Sequence, residues 1–456
     1  MDKNSLRIHF IAIGGSLMHN MAIALQQSGH VISGSDDEIF EPSRSRLESH
    51  GLLPADEGWA PEKLDENIDA VILGMHAKKD NPELLKAQSL GLKIYSFPEF
   101  IYEQSKNKQR IVIAGSHGKT SISAMVLHVL RYFNRSFDYA IGAQLEGFDT
   151  MVQFSDAPII IIEGDEYLSS PLDPSPKFLK YQHHIGLISG IAWDHINVFS
   201  SEQTYHDQFK ALADATPKAG TLIYFEGDAM AKSIGSAEKE GCNLVPYNAH
   251  PHKIEQGITY LLDGKEMVPL KVFGAHNMQN ISGALEILKK IGISTEQFYE
   301  AIQTFEGADR RLQNLASKAG GHFFSDFAHA PSKVNATAEA VKAQYPDNEL
   351  VACLELHTYS SLNKAFLPHY KGSLSVAQYP VVYYNPATLA HKQLPKLSSE
   401  DITQAFDQEG LMVFDDSQKL KAFLKSMDWK NKDLLMMSSG NFDGINIASL
   451  AEELFH

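Results

Sequence analysis

Two cysteines in 456 residues, Cys242 and Cys353, are too few and too far apart to staple the chain with disulfides or to build a thiolate metal site. A reducing cytoplasm is the expected setting. Basic charge is also short: 40 Lys and Arg stand against 56 Asp and Glu, the formal net charge is −16, and no clustered basic run is present. Such a chain repels a polyanion, so nucleic acid is not an expected partner. Long apolar runs are missing too. Hydrophobic residues make up 43% of the chain but come in short blocks broken by charges, nowhere near the ~20 consecutive apolar residues of a membrane span. Met1-Asp2-Lys3-Asn4 runs straight into a strand-like block, leaving no room for a signal peptide's apolar core. Membrane insertion is not expected, and at about 150 residues per domain the length predicts two to four globular domains.

What is present alternates between strand-like and helix-like periods, the mark of parallel α/β units. An apolar strand over 8–13, the turn Gly14-Gly15, a helix over 18–27 and a strand over 31–36 open the chain. A strand over 70–73, a helix over 82–89 and a short strand over 93–95 follow, and the polar stretch 104–109 closes a first domain near Lys106. A fresh strand over 110–114 enters a glycine-rich turn and a helix over 121–132; strands over 157–162 and 184–191 come next. The glycine-punctuated stretch 220–273 reads as hairpins, and helices over 278–290 and 295–304 end a second domain. Strands over 322–324, 349–355, 381–384 and 434–437 build a third from about Ala308. The fold class is therefore α/β in three domains.

Gly115-Ser116-His117-Gly118-Lys119-Thr120, followed by Ser121, joins a strand to a helix. Backbone N–H groups and the positive helix end can cradle phosphate there, Lys119 can reach its outer oxygens, and Thr120 can offer its hydroxyl to Mg2+. The spacing is shorter than the full phosphate-loop pattern, since Ile113 stands where its first glycine would be. Glu163-Gly164-Asp165-Glu166 places three carboxylates at a strand end, where hard oxygen ligands suit Mg2+, and Asp194-His195 ends a further strand; an acidic turn and a surface histidine are the plainer alternatives. Gly14 and Asp36 mimic a dinucleotide fingerprint, but only one of its three glycines is in place, so a nicotinamide cofactor is not favoured. Asn277 and Asn280 lie three apart on one helix face and either read a base edge or cap the helix. Arg310-Arg311 stands at a hinge, and Asp326 follows the strand Phe323-Phe324.

In this order the motifs resemble the Mur ligases, cytoplasmic ATP-dependent enzymes that join amino acids or peptides to UDP-N-acetylmuramate. The resemblance rests on Ile13 to Met18 with Ser33-Gly34-Ser35-Asp36, on Gly115 to Ser121, Glu163 to Glu166, Asp194-His195, His276 to Asn280, Gly307 to Arg311 and Asp326 to Pro331. It implies a Rossmann-like UDP-sugar-binding domain over 1–106, a central P-loop ATP-binding domain over 107–308 and a Rossmann-like amino-acid- or peptide-binding domain over 309–456. It also implies roles for single residues. Gly115, Ser116, His117, Gly118, Lys119, Thr120 and Ser121 would hold ATP phosphates; Thr120 and Glu163 would bind one Mg2+ and His195 a second. Asn277 and Asn280 would meet adenine, Asp326 the ribose, and Arg311 the phosphate in the transition state. Gly14, Gly15, Ser16, Leu17, Met18, Ser35 and Asp36 would hold UDP-N-acetylmuramate, with His76 where one branch commonly has a serine near substrate. Lys119, His195 and Arg311 would be the catalytic residues.

Two branches of the family take free UDP-N-acetylmuramate. Asp36 continuing to Phe40-Glu41-Pro42-Ser43, Tyr167, the segment 172–181 and the ending Met436 to Gly444 resemble members that attach the recovered tripeptide L-alanyl-γ-D-glutamyl-meso-diaminopimelate. His357-Thr358-Tyr359-Ser360 resembles members that add L-alanine. The tripeptide is the expected amine, with L-alanine as the alternative. A P-loop kinase or ATPase that ignores the sugar and a non-catalytic nucleotide-sugar sensor are the competing classes.

Overall fold

The computed structural model describes residues 5–145, 147–193, 199, 201–264, 266–308 and 311–455. Two compact units are formed, one by the described residues of Met1–Ile191, Tyr205–Tyr247 and Gly283–Ser294, the other by those of Ala192–Thr204, Asn248–Ser282 and Thr295–His456. Among the described residues no helix is long and apolar enough to cross a membrane.

The first unit holds two mainly parallel sheets. Strands β1 (Arg7–Ile11), β2 (Val31–Ser35), β3 (Ala70–Leu73) and β4 (Ile94–Ser96) form a parallel sheet in the order β2-β1-β3-β4. The chain leaves β1 on one side and returns on the other, so the carboxyl ends of β1 and β3 flank a switch point where ligands of open sheets gather. A buried pair braces this sheet from below the crevice. His9 on β1 donates through Nε2 to Glu83 Oε2 at 3.2 Å, and Glu83 Oε1 accepts from the Ala60 amide at 2.7 Å; both side chains are fully buried. Glu83 is presented by the helix Pro82–Ser89, whose first turn is capped by the Asn81 carbonyl oxygen accepting from Glu83 and Leu84.

The second sheet contains β5 (Gln109–Ala114), β6 (Asp138–Ala140), β7 (Val152–Gln153) and β8 (Ile159–Gly164). After the hairpin of β9 (Leu168–Ser170) and β10 (Asp173–Pro176), it resumes with β11 (Ile185–Ile188), β12 (Thr221–Phe225) and β13 (Asn243–Tyr247). Its order is β13-β12-β11-β5-β8-β6-β7, with only the edge strand β7 antiparallel. Buried on both faces, β5 and β8 read as the continuous apolar runs IVIA and IIII. The expectation of hairpins over 220–273 needs correction. Residues 220–247 form a strand, a helix and a parallel strand, β12 and β13 flanking the helix Ala229–Gly235, and Asp228 caps that helix by accepting from the Ala231 amide. A seven-residue helix between glycines carries too little periodicity to announce itself. Within 220–273 the hairpins are those of β14 (His252–Glu255), β15 (Ile258–Asp263) and β16 (Glu266–Leu270), a meander in the second unit.

That unit continues with β17 (Gln313–Lys318), β18 (Gly321–Asp326), β19 (Glu349–Leu356), β20 (Tyr379–Tyr384), β21 (Met412–Phe414) and β22 (Lys432–Met437). They form one sheet in the order β17-β18-β22-β19-β20-β21, antiparallel only at β17. Alternate residues feed two cores, one on each face: Leu350, Ala352 and Leu354 pack on the side of the helix Pro331–Gln344, and Val351 and Cys353 on the side of the helices Ser417–Ser426 and Ile447–Phe455. Cys353 is an inert core residue, its thiol pushed far up by burial.

Burial pushes the Glu83 carboxyl up, but the bonds from His9 and Ala60 outweigh it and hold the group below the usual carboxylate range. Its stabilising contribution is present above the unfolded value and is lost as pH falls through the folded one. Glu83→Ala strands the His9 ring in the core, and urea unfolding at pH 7 should show a loss of roughly 3 kcal/mol, the scale for breaking a buried pair.

Candidate functional site

The loop after β5 is shaped by close packing against the end of β11. Gly115 has φ +136, and a Cβ there would fall 2.1 Å from Ser189 Oγ, so only glycine fits. The Ser116 amide donates to Gly190 O at 3.0 Å, the Ser189 amide donates to Ala114 O at 3.0 Å, and the Ser189 hydroxyl donates to His117 O. Gly118, at φ +82, turns the chain into the helix Lys119–Tyr132. Thr120 and Ser121 thus lie in the first turn, among the N–H groups that a helix leaves unbonded.

Lys119 extends back along the loop and donates to Gly115 O at 2.8 Å and to Glu166 Oε2 at 3.2 Å. Burial pushes its ammonium down, but the carboxylates of Glu166, Asp165 and Glu163 outweigh burial and raise it. The three acidic residues do not act alike. Glu166 is paired with Lys119, and Asp165 with Lys177 at 3.3 Å. Three carboxylates against two ammoniums leave one negative charge over, that of Glu163. Its Oε2 accepts from the Gly142 amide at 2.7 Å, while Oε1 is buried with no hydrogen-bond partner among the described residues. Burial, then the charge of Asp165, pushes its pKa up; the Thr120 hydroxyl and Lys119 pull the other way. An orphaned hard oxygen beside a threonine hydroxyl fits a dication such as Mg2+. Among the described residues no group of three or more His, Cys, Asp or Glu is arranged to hold a metal. Asp194, His195 and Arg310 lie outside the described residues.

At the first sheet's switch point, the Gly14 amide donates to Asp36 Oδ2 at 2.7 Å, and the Asp37 amide donates to Asp36 Oδ1 at 3.0 Å. The turn Gly14-Gly15 and the pair Ser35-Asp36 are thereby joined. Burial pushes the Asp36 carboxyl up to about 6. Ser16 is exposed, Gly14, Gly15 and Leu17 are half-buried, Met18 and Ser35 are buried, and His76, just past β3, is exposed. The helix Ser16–Gln27 also reaches the second sheet: Asn20 Oδ1 accepts from the Met151 amide at 2.9 Å.

In the second unit, Asn277 and Asn280 sit on the helix Ala275–Lys290, both buried, and the Asn277 amide donates to Phe273 O at 2.9 Å. Asp326 ends β18, and the Arg311 guanidinium lies 4.7 Å over the Phe327 ring. Asp326 also lines a cavity of about 260 Å³ with Leu315, Met436, Ser438, Asn441 and Phe442. Sequence reasoning missed Gly142, Lys177, Ser189, Gly190 and Tyr205. Of these only Ser189-Gly190, a turn signal directly after an apolar strand, carried a readable sign.

Residues 113–288 match the Mur ligase middle domain, and residues 7–109 match the Mur ligase family, catalytic domain. The UDP-N-acetylmuramate–L-alanine ligase of Carboxydothermus hydrogenoformans is 28% identical over 439 residues, 93% of this chain and 90% of that one. The enzyme of the same name from Clostridium botulinum is 30% identical over 374 residues, 79% and 78%. Among solved structures, the UDP-N-acetylmuramate–alanine ligase of Thermotoga maritima superposes with a TM-score of 0.72 at 19% identity, covering 98% of each chain. A murein peptide ligase from Psychrobacter arcticus gives 0.66 at 21%, covering 99% of each. At those identities the structural likeness shows a shared fold.

Burial drives the Asp326 carboxyl up to about 6, against the pull of Arg311 and the Ala328 amide. A folded pKa above the unfolded 3.8 means the folded state holds the proton better, so the cost of the charge is absent below about pH 4 and complete once pH has risen through 6. Asp326→Asn should therefore stabilise the protein at pH 7, by up to about 3 kcal/mol, and flatten the fall in stability between pH 4 and 6, as read by urea unfolding.

Proposed function

The chain belongs to the Mur ligase family, whose members are ATP-dependent ligases forming amide bonds, and from that premise we propose that it couples the lactyl carboxylate of UDP-N-acetylmuramate to the amine of L-alanine. The observation that carries the choice of amine is the agreement of sequence relatives. L-alanine ligases match at 28% identity over 93% of this chain, and at 28% over 96% of it. This favours the alternative over the tripeptide reading. The tripeptide stays as a second reading on one observation: Met436, Ser438, Gly440, Asn441 and Phe442, from the segment that resembles tripeptide-adding members, line the cavity of about 260 Å³, which is more room than an alanine fills.

A carboxylate is a poor acyl donor. Transfer of the γ-phosphoryl group of ATP to the lactyl carboxylate gives an acyl phosphate and ADP; the amine then attacks the carbonyl carbon, and the tetrahedral intermediate expels phosphate to leave the amide. In this reading the N–H groups of 115–118 and the helix start receive the phosphates, with His117 and Ser121 beside them. Lys119 exchanges Glu166 for phosphate oxygens. Thr120 and Glu163 would hold Mg2+, with His195 for a second ion; bound there, Mg2+ would neutralise phosphate charge. Asn277 and Asn280 take adenine, Asp326 the ribose, and Arg311 steadies the phosphoryl group in transfer. The turn 14–18, Ser35, Asp36 and His76 take the UDP-sugar. Domains over 1–106, 107–308 and 309–456 divide these tasks.

Release of phosphate from ATP and Mg2+ with UDP-N-acetylmuramate decides the amine. Release that needs L-alanine is expected; release that needs the tripeptide moves the protein to the second reading, and release with neither defeats both. Lys119→Ala should lower kcat on the order of 100-fold, the scale of removing one donor to a reacting anion, and unchanged turnover would remove the loop from the mechanism.

A further inference from the structure

Tyr205 lies on the helix Glu202–Asp214 with its ring fully buried, edge-on to Phe209 at 5.3 Å between centroids. Packing alone would be served as well by phenylalanine, and an interior hydroxyl is costly unless it is bonded. Here it stands 2.9 Å from Ser116 Oγ and 3.2 Å from Glu166 Oε1, while the other oxygen of Glu166 holds Lys119 at 3.2 Å. Proton count sets the direction of this chain. A carboxylate has no hydrogen to give, so Tyr205 donates to Glu166 and in turn accepts from Ser116. Two side chains of the glycine-rich loop, one at each end, are thus tied to a single buried hydroxyl carried by a distant helix.

We propose that Tyr205 is a positioning residue for the nucleotide site, fixing Glu166 so that Lys119 is held along the loop and turning the Ser116 hydroxyl away from the space that the phosphates enter. The proposal rests on the nucleotide reading of this loop and adds to it a residue that touches neither ligand nor metal. Without the hydroxyl, Glu166 loses a donor and Lys119 its fixed direction, so each phosphate that enters must order the loop itself.

Calorimetric titration of the full chain with ADP and Mg2+, beside steady-state kinetics, tests this. Tyr205→Phe is expected to raise the Kd for ADP and the KM for ATP about tenfold, the scale of one hydrogen bond to a charged group, with the KM for UDP-N-acetylmuramate unchanged. Phe209→Leu loosens the same ring without touching the hydroxyl, and should lower the melting temperature while leaving the Kd for ADP within about twofold. Ser116→Ala cuts the far end of the chain and should weaken ADP by several-fold, with no further loss when combined with Tyr205→Phe. Tyr205→Phe or Ser116→Ala binding ADP as the unaltered protein does, or Phe209→Leu weakening it as much as Tyr205→Phe, would overturn the proposal alone. An unaltered protein that binds no ADP would overturn the nucleotide reading, and the proposal with it.

Discussion

A buried ammonium just beyond β5, set against the carboxylates that end the neighbouring parallel strand β8, is the interaction on which the rest of the site depends. Lys119 and Glu166 are both largely withdrawn from water, with side-chain exposures of 16% and 1%. Removing either partner would leave an uncompensated charge in the interior, which costs several kcal/mol. The pair is kept because each member is satisfied twice over: Lys119 also donates to Gly115 O, and Glu166 also accepts from Tyr205. It therefore fixes the loop's shape as well as its charge, and it leaves Glu163 as the one carboxylate with unmet demand. An anion that draws Lys119 away and a cation that settles on Glu163 would answer the two halves of the same imbalance.

Sterics at glycine supply the other constraint. Gly115 must approach Ser189 and Gly142 must approach Glu163, where a Cβ would fall 2.4 Å from Oε2. At the first sheet the corresponding closeness is between Gly14 and Asp36, where a Cβ would sit 2.9 Å from Oδ2. In each case the backbone comes near enough for an amide or a carbonyl, rather than a side chain, to do the binding. Asn20, on the helix that follows Gly14, accepts from the Met151 amide just before β7 and so ties that helix to the edge of the second sheet.

Much of this is legible in the order of the amino acids alone. The strand over 70–73 and the helix over 82–89 match the observed elements residue for residue, because a short apolar run and a capped Asn-Pro-Glu start are unambiguous signals. The glycine-rich loop and Glu163 stand out for the same reason: their chemistry is written in adjacent residues. What cannot be read that way is anything made by residues far apart in the chain. Tyr205 looks like any core tyrosine until its hydroxyl is seen against Ser116 and Glu166, 89 and 39 positions away. Nor can spacing say that Lys177 and Lys119 neutralise two of three neighbouring carboxylates. The short helix over 229–235 is lost among glycines, and the parallel pairing of β12 with β13 is lost with it.

In the proposed reaction the sugar's carboxylate is activated by phosphoryl transfer before the amine arrives. Turnover of UDP-N-acetylmuramate carrying 18O in its lactyl carboxylate, with the released phosphate analysed by mass, tests it directly. Through an acyl phosphate the carboxylate oxygen that accepts the phosphoryl group leaves with it, so one labelled oxygen is expected in each phosphate formed. Unlabelled phosphate accompanying amide formation would contradict it.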